Sequence, residues 1–285
     1  MIPASFDYVR AVSLRDALTA LAAGDGTKIL AGGHSLLPMM RFRLAQPPRL
    51  VDVSDLAELR GVVEHRKGVR IGATTTYRDL LDSALLRERF PLVIECTENI
   101  GDLQVRNRGT VGGSLAHADP ASDLPAVMLV LDATFNLRSR RGKRSVRARE
   151  FFLGPFATAL AEDEMLIDVL LPATPRGAGT AYVSQDQAAS GYSLAGAAAV
   201  IARTRKTVSH AAVALTGVGD VSRLIASTDQ LVGTKAEAEV IGRVAAGSVE
   251  GVEITGDIHA SAEYRRHLAT VIVRRAIQKA LDRAN

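Results

Sequence analysis

Cysteine is almost missing from this chain, and its scarcity excludes a good deal. Cys96 is the single one in 285 residues, so neither a disulfide framework nor a cysteine-ligated iron–sulfur cluster can be built within it. Tryptophan is absent and aromatic residues make up 4%, which leaves few platforms for stacking nucleobases. No apolar run approaches the ~20 residues of a membrane helix. The start, Met1-Ile-Pro-Ala-Ser-Phe-Asp-Tyr8, lacks the basic stretch and apolar core of a signal peptide. A soluble cytoplasmic protein with no membrane span is the expectation. A strong excess of one charge is lacking too. The 35 basic and 31 acidic side chains give +4, too little at this length to indicate nucleic acid without a matching fold motif. The densest basic stretch, Arg138-Ser-Arg-Arg-Gly-Lys-Arg144, reads as a solvated hairpin tip.

The familiar signatures of nucleotide binding and catalysis are also missing. Gly24-Asp-Gly26 has Ile29 where G-x-G-x-x-G needs its third glycine, and Gly217-Val-Gly219 has Ser222 there. No G-x-x-x-x-G-K-[ST] loop and no G-x-S-x-G elbow occur. The six histidines show neither H-x-x-x-H nor H-E-x-x-H spacing, so no metal site is expected.

What is present is a chain 47% hydrophobic, long enough for two or three compact units. Ser13-Leu-Arg-Asp16 has the form of a capping box with Asp for Glu, opening a helix over roughly 13–23. Lys28–Leu30 and Arg49–Val53 read as strands, so the first 55 residues form a small α/β unit. From 60 to 175 the sequence predicts strands at Gly68–Thr74, Thr134–Arg138, Arg144–Ala148 and Leu166–Leu171. It also predicts a helix from Thr76 to about Leu86, another in the low 90s, and an apolar helical stretch at Ala126–Leu131. Pro172-Ala-Thr-Pro-Arg-Gly-Ala-Gly179 reads as a linker. Beyond it come strand-like runs at Thr180–Ser184, Leu194–Arg203 and Val208–Thr216. Helices over Lys235–Ala246 and Ala260–Ala284 follow, the last with Tyr264, Leu268, Ile272, Ala276, Ile277 and Leu281 near helical spacing.

Two glycine-rich stretches stand out: Ala31-Gly-Gly-His-Ser35, straight after a strand, and Thr110-Val-Gly-Gly-Ser114. Paired glycines let the backbone approach a ligand and turn several N–H groups one way, a nest for an anion such as pyrophosphate. Each pair reads equally as a tight turn, and spacing alone does not decide. In Ala116-His-Ala-Asp-Pro-Ala-Ser-Asp-Leu-Pro125, Asp119 and Asp123 suit either a ligand's hydroxyls or helix capping. His34 and His117 lie in these stretches, where a lone histidine is commonly a structural donor.

Together these segments have a family likeness. Ala31-Gly-Gly-His-Ser-Leu-Leu-Pro38, Arg106-Asn-Arg-Gly-Thr-Val-Gly-Gly-Ser-Leu-Ala116, Asp119-Pro-Ala-Ser-Asp-Leu-Pro125 and Ser261-Ala-Glu-Tyr-Arg-Arg-His-Leu-Ala269 resemble the motifs of the FAD-binding subunits of molybdenum hydroxylases. So does the opening Ile2–Tyr8. The resemblance runs nearly end to end and is to the medium subunits of carbon monoxide dehydrogenase-like and xanthine dehydrogenase-type enzymes. It implies an α+β fold: an FAD-binding module of two α/β subdomains, of the vanillyl-alcohol-oxidase or PCMH-like kind, over 1–55 and 56–175. A C-terminal α/β domain over 178–285, with an antiparallel sheet and helices, would follow. It implies FAD, with Ala31, Gly32, Gly33, His34, Ser35 and Leu36 facing Thr110, Gly112, Gly113 and Ser114 around the pyrophosphate through backbone N–H groups. Asp119 and Asp123 would be polar contacts, and Tyr192, in Ser190-Gly-Tyr-Ser193, would lie near the flavin ring. Read from the residues alone, Tyr192 is equally a core tyrosine at a strand start.

The implied activity is electron transfer, with no catalytic residue in this chain. A molybdenum-cofactor large subunit and a [2Fe–2S] small subunit would be the partners, in a dimer of heterotrimers. A stand-alone flavoprotein oxidase or dehydrogenase is the other reading. One departure stands against the family pattern. Val183-Ser-Gln-Asp-Gln-Ala-Ala-Ser190 carries no positive charge where relatives have a basic stretch. A lysine near the flavin N1/C2=O edge would stabilise an anionic reduced flavin, and Asp186 turned the same way would oppose it. Asp186 therefore joins the candidate site residues, and a flavin harder to reduce or less tightly held is expected.

Overall fold

The computed structural model describes residues 2–66, 68–188 and 190–285. The chain begins with Asp7–Arg10 (β1), Leu14–Leu21 (α1), Lys28–Leu30 (β2), Leu36–Arg41 (α2) and Arg49–Asp52 (β3). The strands pair in parallel in the order β1-β3-β2. Ser13 Oγ accepts the Asp16 N–H at 3.1 Å to start α1, which buries Leu14, Ala17, Leu18 and Leu21 in a core shared with Val51 and Val53.

Next come a 3-10 turn at Ala57–Leu59, Val62–His65 (β4), Gly68–Gly72 (β5), Tyr77–Asp82 (α3), Ala84–Arg89 (α4), Pro91–Asn99 (α5), Leu103–Arg108 (α6), Val111–His117 (α7) and Leu124–Val130 (α8). Thr134–Arg138 (β6), Lys143–Arg147 (β7), Ala148–Phe151 (α9), Phe152–Gly154 (β8), Ala157–Thr158 (β9) and Met165–Leu171 (β10) follow. Their main sheet runs β4-β5-β10-β6-β7, antiparallel throughout. The basic stretch at 138–144 is the turn of the β6–β7 hairpin, mostly exposed, as the sequence predicts.

The rest of the chain forms Gly179–Asp186 (β11), Ser193–Thr204 (β12), Thr207–Thr216 (β13), Arg223–Leu224 (β14), a 3-10 turn at Ala226–Leu231, Ala238–Gly247 (α10) and Ala262–Arg283 (α11). The antiparallel sheet β11-β12-β13-β14 is covered on both faces. Tyr182, Ala198, Val200 and Ala214 face α8 and the core around the five-stranded sheet. Ala181, Ala197, Ala199, Ile201, Val213 and Leu215 face α10 and α11. That double burial is why β12 reads as an unbroken run of small apolar residues rather than an alternating one. Small side chains let the layers approach: a Cβ on Gly196 would stand 2.4 Å from the Tyr182 hydroxyl, and one on Gly179 2.0 Å from the Ala280 carbonyl. A charged clasp closes the interface. Glu95 on α5 receives the Tyr182 N–H at 3.0 Å and pairs with Lys279 at 2.5 Å and Arg283 at 2.9 Å on α11.

Several elements differ from the sequence expectation. The helix opened by Thr76 stops at Asp82, because Ser83 leaves the helical region and caps α4 anew by accepting the Leu86 N–H at 3.3 Å. Strand β5 ends at Gly72 rather than Thr74, since Thr74 turns its N–H to the Leu59 carbonyl at 2.9 Å. On α11, Tyr264 is exposed and Arg265 is buried instead. The two Nη groups of Arg265 donate to the carbonyls of Leu194 and Gly217 and to Asp257, while its buried Nε has no partner, so a charged residue occupies a position the apolar spacing gave to its neighbour. Helices α2, α6 and α7 and strands β1 and β4 are too short or too polar for periodicity to mark.

Candidate cofactor site

Between β2, the end of β5, α7 and the loop before β12 lies a cleft of about 990 Å³. Ala31, Gly32, Gly33, His34, Ser35, Leu36, Thr110, Gly112, Gly113, Ser114, Asp119, Asp123 and Tyr192 all line it. Residues from four separate segments are thus gathered on one cavity.

The two glycine stretches are built differently. Gly33 takes φ +75°, a conformation that favours glycine, and the N–H groups of Gly32, Gly33, His34 and Ser35 make no hydrogen bond among the described residues. Four successive free donors on a loop make an anion nest. His34 Nδ1, 3.0 Å from the Gly32 carbonyl, pins its shape. The second stretch is a helix start rather than a turn. Thr110 is the N-cap of α7, its hydroxyl accepting the Gly113 N–H at 3.1 Å. Val111, Gly112 and Ser114 donate to the carbonyls of Thr75, Ala73 and Thr110 at 3.0, 2.8 and 3.0 Å. The backbone donors from Val111 to Ser114 are therefore already engaged, which corrects the expectation that both stretches offer N–H groups alike. What it presents is hydroxyls: Thr110, and Ser114 at 2.9 Å from Ser122 Oγ. Its glycines serve contact. A Cβ on Gly112 would stand 2.5 Å from the Ala73 Cβ, and one on Gly32 would stand 2.0 Å from the Arg108 carbonyl oxygen.

The acidic residues have separate tasks. Asp119 Oδ1 accepts the Ala121 N–H at 2.9 Å and shapes the turn before α8. The C-terminal sheet secures the same turn, with the Gly217 N–H on the Pro120 carbonyl at 3.0 Å and the Thr216 hydroxyl on that of Ser122 at 2.7 Å. Asp123 stands at the N-cap of α8 but makes no capping bond. Its buried Oδ1 receives the hydroxyls of Tyr182 and Ser193, the latter at 2.6 Å. Desolvation pushes the Asp123 carboxyl up to about 6, against the lowering effect of those two donors. Ser193 Oγ also lies 2.9 Å from Asp186. One hydroxyl hydrogen cannot serve two carboxylates, so the group is fully satisfied when Asp123 holds a proton. Asp186 is turned into this cluster and is not among the residues lining the cleft.

Tyr192 is half-exposed, its hydroxyl facing Ser35; burial and then Asp119 and Asp123 raise its pKa. His117 packs on Phe156 with ring centroids 5.1 Å apart, and its pKa is lowered by burial against the opposing pull of Asp119. Among the described residues lining the cleft, Lys28 is the one lysine or arginine. No group of three or more His, Cys, Asp or Glu suited to a metal occurs among the described residues.

Comparison with known proteins gives this geometry its context. Residues 4–174 match the family described as FAD binding domain in molybdopterin dehydrogenase, and residues 181–280 match the CO dehydrogenase flavoprotein C-terminal domain. The chain is 38% identical to the carbon monoxide dehydrogenase medium chain of Hydrogenophaga pseudoflava, over 99% of each. It is 36% identical to the glyceraldehyde dehydrogenase medium chain of Sulfolobus acidocaldarius, over 98% of this chain and 99% of that one. A solved carbon monoxide dehydrogenase from Hydrogenophaga pseudoflava, lacking the Mo-pyranopterin moiety, superposes with a TM-score of 0.97 at 38% identity, covering 100% of both chains.

The chain belongs to the FAD-binding medium subunits of the molybdenum hydroxylases.

The α+β fold expected from the resemblance is the fold of this medium subunit. The cleft fits FAD on its own features. It has the volume, a nest of unpaired N–H groups for the pyrophosphate, an apolar lining, and one buried hydroxyl, Thr74 Oγ1, with no partner. With one lysine on its wall, the cleft would hold an anion mainly through backbone and hydroxyl donors. Sequence reasoning missed Lys28, Thr74, Tyr77 and the stretch from Phe156 to Leu166 on the cleft, and Tyr182 and Ser193 behind it. The run Thr74-Thr-Thr76 after a strand was a usable signal; the return of 156–166 to the cleft leaves no mark in spacing.

Proposed function

We propose that this subunit carries FAD in the 31–36/110–114 cleft and relays electrons from a [2Fe–2S] subunit to an external acceptor, within a complex whose molybdenum subunit oxidises the substrate. The observation that carries the placement is the free N–H run from Gly32 to Ser35 on a cleft of about 990 Å³. Bound there, FAD supplies the one- and two-electron redox chemistry. The residues of this chain bind and orient. Gly32 to Ser35 donate to the pyrophosphate, and the Thr110 and Ser114 hydroxyls face it from the start of α7. Asp119, Asp123 and Tyr192 also line the cleft, and Tyr192, half in solvent with its hydroxyl toward Ser35, would cover the ring. Asp186, held by Ser193, acts on the ring through Asp123 rather than by contact.

The partners are the large and small subunits, in a dimer of heterotrimers, and the compartment is the cytoplasm; among the described residues no helix is long and apolar enough to cross a membrane. The units 1–55, 56–175 and 178–285 are the proposed domains, each with its own sheet. Affinity purification of the tagged full chain from its host tests the assignment. Molybdenum, iron and FAD should co-elute, with flavin bands near ~370 and ~450 nm. A flavin-loaded chain that elutes without either metal and oxidises a small molecule alone would replace this reading with a stand-alone oxidase or dehydrogenase.

A further inference from the structure

Three threonines follow β5, and two of their hydroxyls are used within the fold. Thr75 Oγ1 accepts the Gly61 N–H at 2.9 Å and donates to the Gly61 carbonyl at 3.2 Å. Thr76 Oγ1 caps α3 by accepting the Asp79 N–H at 3.1 Å. Thr74 is different. It is 4% exposed, its Oγ1 has no hydrogen-bond partner, and it lines the cleft. A buried hydroxyl without a partner is costly, and a valine of the same shape would avoid the cost. Its neighbours fix where it stands. The Ala73 carbonyl receives the Gly112 N–H at 2.8 Å, and the Thr75 carbonyl receives the Val111 N–H at 3.0 Å. Thr74 is thus the middle residue of the strap that holds the start of α7, on the side of the cleft where the N–H groups of Val111 to Ser114 are already engaged.

We propose that Thr74 is a binding residue for the dinucleotide, its hydroxyl donating a hydrogen bond to an oxygen of bound FAD. This assignment rests on the cofactor reading above. It accounts for a polar atom that the fold leaves unsatisfied, and it adds a donor where Val111, Gly112, Gly113 and Ser114 have spent theirs. Thr74→Val removes the hydroxyl and keeps the β-branched shape. Thr74→Ser keeps the hydroxyl and drops the methyl.

The test uses the full chain with the subunits that co-purify with it, deflavinated and titrated with FAD while flavin fluorescence is followed. The thermal midpoint of each deflavinated protein is measured beside it. For Thr74→Val, the FAD Kd should rise about tenfold, the worth of one hydrogen bond to a charged acceptor. Its deflavinated midpoint should equal or exceed that of the wild type. Thr74→Ser should stay within about twofold of the wild-type Kd. An unchanged Kd in Thr74→Val, with a lowered midpoint, would overturn the proposal and assign the hydroxyl to a structural water. Equal weakening in both variants would also overturn it, by making shape rather than the hydroxyl the requirement. Wild type that takes up no FAD would overturn the cofactor reading and this assignment with it, an outcome separable from the others because they require wild-type binding.

Discussion

Asp123 makes the folded protein sensitive to pH in a direction opposite to that of most carboxylates. Its carboxyl is buried and pushed up to about 6 from an ordinary 3.8. Desolvation is the leading cause; the negative charge of Asp186 adds to it, and the Ser193 and Tyr182 hydroxyls act against it. Between those two values the folded chain holds a proton that the unfolded chain has released. Folding stability therefore falls as pH rises through that window, and it is not regained above it. At about 1.4 kcal/mol per pH unit, the gap amounts to ~3 kcal/mol. Asp123→Asn keeps an oxygen for the Tyr182 and Ser193 hydroxyls and does not titrate. Urea unfolding of the deflavinated proteins at intervals from pH 4 to 8 gives the comparison. The variant should gain ~2.4 kcal/mol of that relative to the wild type between pH 4 and 7, with most of the change below 6.5. A constant offset between the two curves reports the added amide, not the titration. Parallel curves across the whole range would refute the reasoning, because they would mean that Asp123 ionises as readily in the fold as outside it. Tyr182, Cys96, Tyr77 and Tyr192 surround the carboxyl, and burial raises the pKa of each, so all four stay neutral across the range.

Other perturbations separate the contributions of the remaining parts. Asp186→Asn removes the negative charge behind Ser193 and should move the Asp123 transition to lower pH, read from the same unfolding series; no movement would mean the two carboxyls do not sense each other. Gly112→Ala places a Cβ 2.5 Å from the Ala73 Cβ, so it should cost ~1–3 kcal/mol in urea unfolding and weaken FAD uptake. Gly196→Ala intrudes on the Tyr182 hydroxyl; displacing that hydroxyl from Asp123 should cost a similar ~1–3 kcal/mol. Glu95→Ala leaves Lys279 and Arg283 unpaired and should destabilise the chain by ~1–3 kcal/mol at pH 7. The hydrogen bonds from Arg283, Lys279 and the Tyr182 backbone hold the Glu95 carboxyl below its usual range, despite desolvation. Its contribution is therefore present above pH 4.5 and fades as pH falls through the lowered value, so the Glu95→Ala difference should shrink in acid.

The parts of the fold that the sequence discloses are those where one residue type has one strong physical reason. The Thr76–Asp79 capping box, the apolar segment behind Pro125 and the double-faced run of β12 are visible because their patterns follow from burial or from caps. Helix α7 is hidden because two glycines occupy it, and glycine argues against helix unless a neighbouring backbone must come close, as that of Ala73 does. Arg265 is hidden for a related reason: three acceptors far apart in sequence, at Leu194, Gly217 and Asp257, make an arginine acceptable at a buried position. On the cleft, family motifs and spacing name the glycines, hydroxyls and acids that line it. Which donors are free is a property of hydrogen bonding between segments, so the contrast between 32–35 and 111–114, the orphaned Thr74 hydroxyl and the turning of Asp186 toward Ser193 are legible only in three dimensions.

The close seating of Gly32 on the Arg108 carbonyl has a consequence for biosynthesis. The loop with the free donors is made early in the chain, but the backbone that braces it is made much later. A nascent polypeptide halted between them holds the glycines without the surface that fixes their shape. On the proposed placement, flavin capture would wait until the second glycine stretch has left the ribosome and docked, and loading of the cofactor would report completed folding of this region.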